Sequence, residues 1–527
     1  MRVEGTKMKR IATDRSRIET YQHCRRQRWY EYHQDGVGIV PVKKALALAV
    51  GGAVHKGLET LLRGSAAVNW AALEENAVAA ALADFASFKG GNLDIGGEVI
   101  ARPPSDGSGD VDEAQVAAAS VVPAPYDDYL YREQSALVEA LVRAYARRRL
   151  RPLLEEFEVL EVEREGEWKL ADLVTTHRLS GRDVEIDAWG EVVFLSRPDA
   201  LLRSRADNSL VLLSFKTTGQ WDDRKRRDAE HDMQGLSEGI EIERRLGEWY
   251  EYVTQNPQHW QRKWDQIIPP ATFSYLNGCT APPRILAIRY EYLLKGERWK
   301  DKDLAARYSI DWARSQRSHL IRPHVCVSTP SRGANAGAFQ IGDLCWSSEF
   351  HMEDGRASKL AWQNWDGRLV TDLDMTVREW IDKLDTAVET LSPADSTLGT
   401  EPSPLGWSSD AQAVGYTPKH PLDAVFLPPM TVYRNDDDLR DLIEQMEAQE
   451  TTVAEHVAAV ETSTSEDERR SLLNRHFPQT RRACEYPSTC AYVRVCYGGE
   501  DIRREPLGSG LFRLREANHP REKEFRE

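Results

Sequence analysis

The sequence predicts an α/β fold, a mixed β-sheet flanked by helices, and three features of the chain predict it. FEVLEVERE (157–165) alternates apolar and polar side chains, the period of a strand with one buried face. AWGEVVFLSRPDALLRS (188–204) and SLVLLSFKTT (209–218) are strand-like, and Arg205-Ala206-Asp207-Asn208 between them is turn chemistry, so the pair reads as an antiparallel hairpin. Helical periodicity brackets these runs at 127–156 and 229–247, and PRILAIRYEYLL (283–294) supplies a further strand. Helix, three strands, helix, strand is the element order of a small α/β core.

The remaining elements are read in chain order. Residues 15–33, rich in Arg, Gln and Tyr, predict a short helix that carries Cys24. Residues 43–63 have helical periodicity and put His55 and Glu59, four apart, on one face. Residues 68–88 predict another helix, and 89–125, rich in Gly, Pro, Ser and Asp, a loop or insertion. Residues 301–392 carry no clear motif, 393–422 have the Pro/Ser/Gly/Thr composition of a linker, and 436–460 predict a strongly polar helix. The chain then reaches HFPQTRRACEYPSTCAYVRVCYGG (476–499) and a charged tail, and no internal repeat occurs. The expected organisation is an N-terminal segment 1–40 and a core 41–300 with a helical insertion near 64–156. An insertion and linker 301–424 and a C-terminal helix and cysteine segment 425–527 follow.

Apolar residues at 41% suffice for a core, and this is not the composition of a disordered chain. No apolar run long enough to span a membrane occurs, and the basic start MRVEGTKMKR is not followed by the apolar stretch of a secretory signal. A cytoplasmic, reducing location and no membrane partner are expected. A formal net charge of −15 means that any nucleic-acid binding has to use local basic surface. Candidates are Arg25-Arg26-Gln27-Arg28, Arg147-Arg148-Arg149-Leu150-Arg151 and Arg224-Lys225-Arg226-Arg227, each also readable as a solvated helix face or loop.

The chain has seven cysteines, an odd number that, with a reducing location, argues against a disulfide scaffold. Cys484, Cys490 and Cys496 follow one another with five residues between each, a spacing at which thiolates converge at small cost in chain entropy. Three local thiolates leave one position of a four-thiolate site, and Cys24, in Ile18-Glu19-Thr20-Tyr21-Gln22-His23-Cys24, is the candidate for it. An iron–sulfur cluster suits this spacing better than zinc, which favours tighter pairs, and ordinary buried thiols are the plain alternative. Cys279, Cys326 and Cys345 lack mutual spacing and read as core residues.

A second constellation lies on the α/β core. Metal-assisted phosphodiester hydrolysis needs acidic or imidazole ligands at a sheet edge and a cation for the developing charge. Asp199, in Arg197-Pro198-Asp199-Ala200, and Lys216, in Leu213-Ser214-Phe215-Lys216-Thr217-Thr218, lie on neighbouring predicted strands. His55, in Gly51-Gly52-Ala53-Val54-His55, comes from the preceding helix, and Gln234, in Asp232-Met233-Gln234-Gly235, opens the following one. Singly, each has a structural explanation: a helix histidine, turn chemistry beside Pro, a solvated lysine.

With these residues in this order, the chain resembles the RecB/AddB-type exonuclease group of the PD-(D/E)XK superfamily, in particular its iron–sulfur members among CRISPR-adaptation and phage nucleases. The resemblance covers about 15–60, 157–295 and 425–497. It implies a restriction-endonuclease-like core, and a [4Fe–4S] cluster on Cys24, Cys484, Cys490 and Cys496 that staples the nuclease domain. It further implies a catalytic Mg²⁺ or Mn²⁺ on His55 and Asp199, with Lys216 and Gln234 in catalytic roles. The family carries Asp or Glu two residues before the lysine, where this chain has Ser214. A hydroxyl is a poor substitute for a carboxylate on this hard ion. Three readings are open: the acid has migrated, with Glu238 the first candidate; metal is held weakly by His55, Asp199 and the Phe215 carbonyl; or cleavage is lost. The family has Tyr where Glu238 falls, which agrees with a swap.

The expected function is therefore a metal-dependent deoxyribonuclease, an exonuclease on single strands or duplex ends. The alternative is a catalytically impaired DNA-binding or scaffold subunit of a larger complex. A partner helicase or CRISPR/phage DNA-processing protein fits either, since no Walker A sequence is present.

Overall fold

The computed structural model describes residues 9–42, 44–66, 69–87, 93–94, 124–179, 182–218, 227, 229, 232–255, 268–295, 322–328, 340–347, 361–363, 377–378, 381–382, 426–484 and 490–526. The longer described helices are α1 (Arg15–His23), α2 (Arg25–Tyr32), α3 (Leu46–Arg63), α4 (Trp70–Ala86), α5 (Ala124–Arg148), α6 (Leu150–Glu156), α7 (Met233–Gln255), α8 (Pro270–Asn277), α9 (Asp436–Glu461) and α10 (Glu466–His476). The strands that matter for the site are β1 (Lys9–Thr13), β2 (Ile39–Pro41), β3 (Phe157–Val162), β4 (Gly166–Leu179), β5 (Arg182–Ser196), β6 (Ala200–Ser204), β7 (Leu210–Thr218), β8 (Ile285–Leu294), β9 (Met430–Tyr433) and β10 (Phe512–Leu514).

The core is a mixed α/β arrangement around a five-stranded sheet of order β9-β8-β7-β6-β3. Strands β6 and β7 form the expected antiparallel hairpin, with Asn208 at φ 60° in its turn. The crossover through α7 then brings β8 in parallel to β7, while β3 pairs antiparallel with β6. Alternate residues of β7 serve opposite faces. Val211, Leu213 and Phe215 join the apolar stripes of α3, α4 and α5 in one core cluster. Leu210 and Leu212 pack with Ile242, Leu246 and Trp249 of α7 in another. The sheet is therefore covered by helices on both faces.

Three features differ from the sequence-based expectation. The run 188–204 is not one strand: it breaks at Arg197-Pro198-Asp199, and β5 belongs to a separate three-stranded sheet of order β1-β5-β4. The long strand β4 has no counterpart in the predicted element order, and β1 pairs with β5 in parallel. Residues 15–33 form two helices, because Cys24 adopts an extended conformation (φ −155°, ψ 112°) between them.

The first and last described segments meet. Tyr21, Trp29 and Ile39 pack with Val453, Val457, Phe477, Tyr492 and Phe512, and β2 pairs with β10. Arg17 of α1 is buried between Asp14 and Glu522 (2.6 Å to the latter), and Glu522 also pairs with Arg515. Two of the three arginines in the candidate basic patch at 25–28 are structural rather than surface: Arg28 is fully buried on Glu450 at 2.8 Å, and buried Arg26 donates to the Phe477 carbonyl at 2.7 Å, while Arg25 is exposed. In the 147–151 patch Arg147 is paired with Glu74 and Asp382, and Arg149 lies over Phe426. Arg224, Lys225 and Arg226 lie outside the described residues, as does most of 301–424. Of the latter, strands Arg322–Ser328, Gln340–Ser347 and Ala361–Gln363 form one small sheet that includes Cys326 and Cys345. Among the described residues no helix is long and apolar enough to cross a membrane.

Candidate metal centre

Helix α3 buries Val50, Ala53, Val54, Leu58 and Leu61, and this fixes His55 on its half-exposed side at the edge of the sheet. Asp199 occupies the break between β5 and β6. Its Oδ1 lies 3.2 Å from His55 Nδ1, and its Oδ2 accepts the Phe215 N–H at 2.6 Å. The β6–β7 pairing thus locks the carboxylate in place. The third member of the group is Glu163, the residue after β3. It adopts φ 47°, an uncommon left-handed conformation for a non-glycine residue, and its N–H donates to the Asp199 carbonyl at 3.1 Å. Ligand atoms of His55, Glu163 and Asp199 all lie within 4.8 Å of one another, and among the described residues no other group of His, Cys, Asp or Glu converges so closely.

The electrostatics fit a cation. Burial pushes the Glu163 carboxyl up to about 8, reinforced by the Asp199 charge and opposed by Arg197, whose Nε is 3.0 Å from Glu163 Oε2. Burial would raise Asp199 as well, but the charge and hydrogen bond of His55, the Phe215 N–H and Lys216 outweigh it and hold this carboxyl below its ordinary range. For His55 burial acts downward and Asp199 overrides it, so the imidazole is raised. Two carboxyl groups forced together, one retaining a proton, are relieved when a divalent ion takes that proton's place.

Lys216 projects from β7 on the α7 face. Its Nζ donates to Gln234 Oε1 at 2.5 Å and lies 3.3 Å from Asp232 Oδ2. Gln234 reaches it because Gly235 lets the start of α7 approach β8: a Cβ at Gly235 would fall 2.7 Å from Ile288 Cδ1 and 2.8 Å from Tyr290 Oη. Glu238 lies one turn further on, buried. Its Oε1 accepts Gln234 Nε2 at 2.9 Å, and burial pushes it up to about 8. Its second oxygen has no partner. Glu238 thus braces Gln234 and is not among the three converging ligands. Ser214 is buried with an unpartnered hydroxyl, and Glu59 is engaged by Lys56 and Arg63.

Sequence reasoning therefore named two of the three converging residues and missed Glu163. The signal that would have found it is tertiary: Val162 pairs with Ala200, which sets the residue that follows β3 beside Asp199.

Cys24 is buried between α1 and α2, and Cys24, Cys279, Cys484, Cys490 and Cys496 are all free thiols. Burial raises the Cys490 thiol, and Cys484 and Cys24 raise it further. Burial pushes Cys496 up to about 12, with Arg26 opposing and Cys24, Cys490 and Cys484 adding to the rise. The four thiols named from the sequence therefore feel one another. They are not drawn tight: no three of them have sulfurs within 4.8 Å of one another. A single zinc ion would hold tetrahedral sulfurs about 3.8 Å apart, from Zn–S bonds of about 2.3 Å. Cys279 donates to the Tyr275 carbonyl (3.4 Å) within α8 and its turn, away from this group in sequence. No protein-family model matches the chain, and no curated protein matches it.

Proposed function

We propose that this chain is a metal-dependent DNA nuclease with a restriction-endonuclease-like (PD-(D/E)XK) core, acting on single strands or duplex ends. The observation that carries this is the convergence of His55, Glu163 and Asp199 at a sheet edge that also bears Lys216. Glu163 answers the difficulty posed by Ser214: a carboxylate reaches the group from β3 instead of from β7. These three residues would hold Mg²⁺ or Mn²⁺, which, when bound, makes a water nucleophilic at neutral pH and polarises the phosphate. Asp199 is kept ionised by His55 and the Phe215 N–H. Lys216, steered by Gln234 and Asp232, presents an ammonium where negative charge develops on the phosphate. Glu238, protonated at neutral pH, holds the amide of Gln234 without adding charge.

Cys24, Cys484, Cys490 and Cys496 would hold a [4Fe–4S] cluster with a structural role, tying α1 and α2 to the C-terminal segment. The five-residue spacing of the C-terminal cysteines, wider than the tight pairs zinc favours, supports this over zinc. The test is degradation of labelled single-stranded and blunt-ended DNA with Mn²⁺ and with chelator. Metal-dependent cleavage lost in both Lys216→Ala and Glu163→Ala is expected. Tight binding without cleavage by the wild type would favour the DNA-binding subunit instead.

A further inference from the structure

Beside the metal centre is a cavity of about 240 Å³ whose lining includes Arg15, Arg197, Gln234, Glu238 and His519. Arg197 also lines the larger cavity, of about 710 Å³, that holds His55 and Glu163, so the two cavities adjoin across this arginine. Arg15, the first residue of α1, comes from outside the sheet that builds the metal centre. Its Nη1 donates to Gln234 Oε1 at 2.8 Å, the same oxygen that accepts Lys216 Nζ. Two cations from distant parts of the chain thus converge on one neutral oxygen. Arg15 Nε pairs with Glu19 at 2.8 Å on the outer side, and Asp232 is 3.9 Å away, so Nη1 alone is directed at Gln234. The guanidinium is about one-third exposed, at 34%. Of the two acids lining the cavity, Asp14 is spent on buried Arg17, and Glu238 is bound to Gln234.

We propose that Arg15 is a strand-positioning residue: in this cavity, whose wall it shares with Arg197, it binds a backbone phosphate of a single nucleic-acid strand adjacent to the phosphate at the metal centre. The bond to Gln234 aims the Arg15 guanidinium into the cavity and, because that oxygen is uncharged, does not neutralise it. Residues 518–519 form part of the cavity wall, fixed by the Asn518 N–H to Glu522 and by His519 beside Glu165 at 3.3 Å. The inference rests on the nuclease assignment above.

The experiment is fluorescence anisotropy of the full chain with a labelled single-stranded oligonucleotide in chelator, over a range of salt. Arg15→Gln keeps a polar side chain without the charge, and Arg15→Lys keeps the charge. One lost phosphate contact lowers the slope of log K against log salt by about 0.7 for a single strand. The expected result is that loss in Arg15→Gln, with several-fold weaker binding, and a wild-type slope in Arg15→Lys. A merely structural Arg15 would lower the unfolding temperature of Arg15→Gln and leave the slope unchanged. That outcome overturns the proposal while leaving the nuclease assignment intact. A wild-type protein that binds no strand overturns both.

Discussion

Loading the metal centre should release protons, and the count is set by Glu163. Its carboxyl is pushed up to about 8, so at pH 7 it is about 0.9 protonated, one unit below the midpoint. Asp199, held low, is already ionised and contributes nothing. His55, raised by Asp199, adds a further fraction, so total release at pH 7 exceeds that of Glu163 alone. The proton competes with the ion below pH 8, so affinity for Mn²⁺ climbs with pH, most steeply well below pH 8, and levels above it. Calorimetric titration with Mn²⁺ in buffers of different ionisation heat measures the count. Glu163→Gln should leave only the His55 fraction and bind the ion at least an order of magnitude more weakly. A release near zero at pH 7, or a Glu163→Gln variant with wild-type affinity and count, would refute the assignment of Glu163 as a ligand.

Three further outcomes are expected. Glu238 has a folded-state value near 8 against an ordinary 4.5, so its burial costs stability increasingly as pH rises from 4.5 to 8. Glu238→Gln should therefore raise the unfolding temperature by about a few degrees at pH 8 and not at pH 4, as read by scanning calorimetry. Gly235→Ala should lower stability by about 1–3 kcal/mol through overpacking against Ile288 and Tyr290, and weaken cleavage by displacing Gln234; denaturant unfolding with a cleavage assay checks both. Anaerobically purified protein should carry about four irons per chain, lost in Cys24→Ser and Cys490→Ser; one zinc per chain in the wild type would sink the cluster assignment.

Much of the site was legible because its residues sit where local pattern and position coincide. The β6–β7 hairpin follows from two apolar runs around a turn, and it alone brings Asp199 against the Phe215 N–H. His55 is legible because the apolar stripe of α3 fixes which face it occupies. Glu163 was not legible: it is one acid among several in FEVLEVERE, and only the pairing of β3 with β6, a contact across more than thirty positions, distinguishes it. The run 188–204 misled because its apolar pattern continues across Pro198 while the chain changes sheets there. Arg26 and Arg28 misled for the opposite reason: a cluster of arginines reads as surface, but Glu450 and the Phe477 carbonyl, far along the chain, draw two of them into the interior.

The burial of Arg17 makes the last residues indispensable to the first helix. A proteolytic cut after Leu514 would remove Arg515 and Glu522 together and leave Arg17 enclosed with Asp14 as its remaining acidic neighbour. An enclosed guanidinium robbed of half its counter-charge is among the costlier defects a fold can carry. Trimming of the tail would therefore register as loosening of α1, and with it of Arg15 and Cys24, at the far end of the polypeptide.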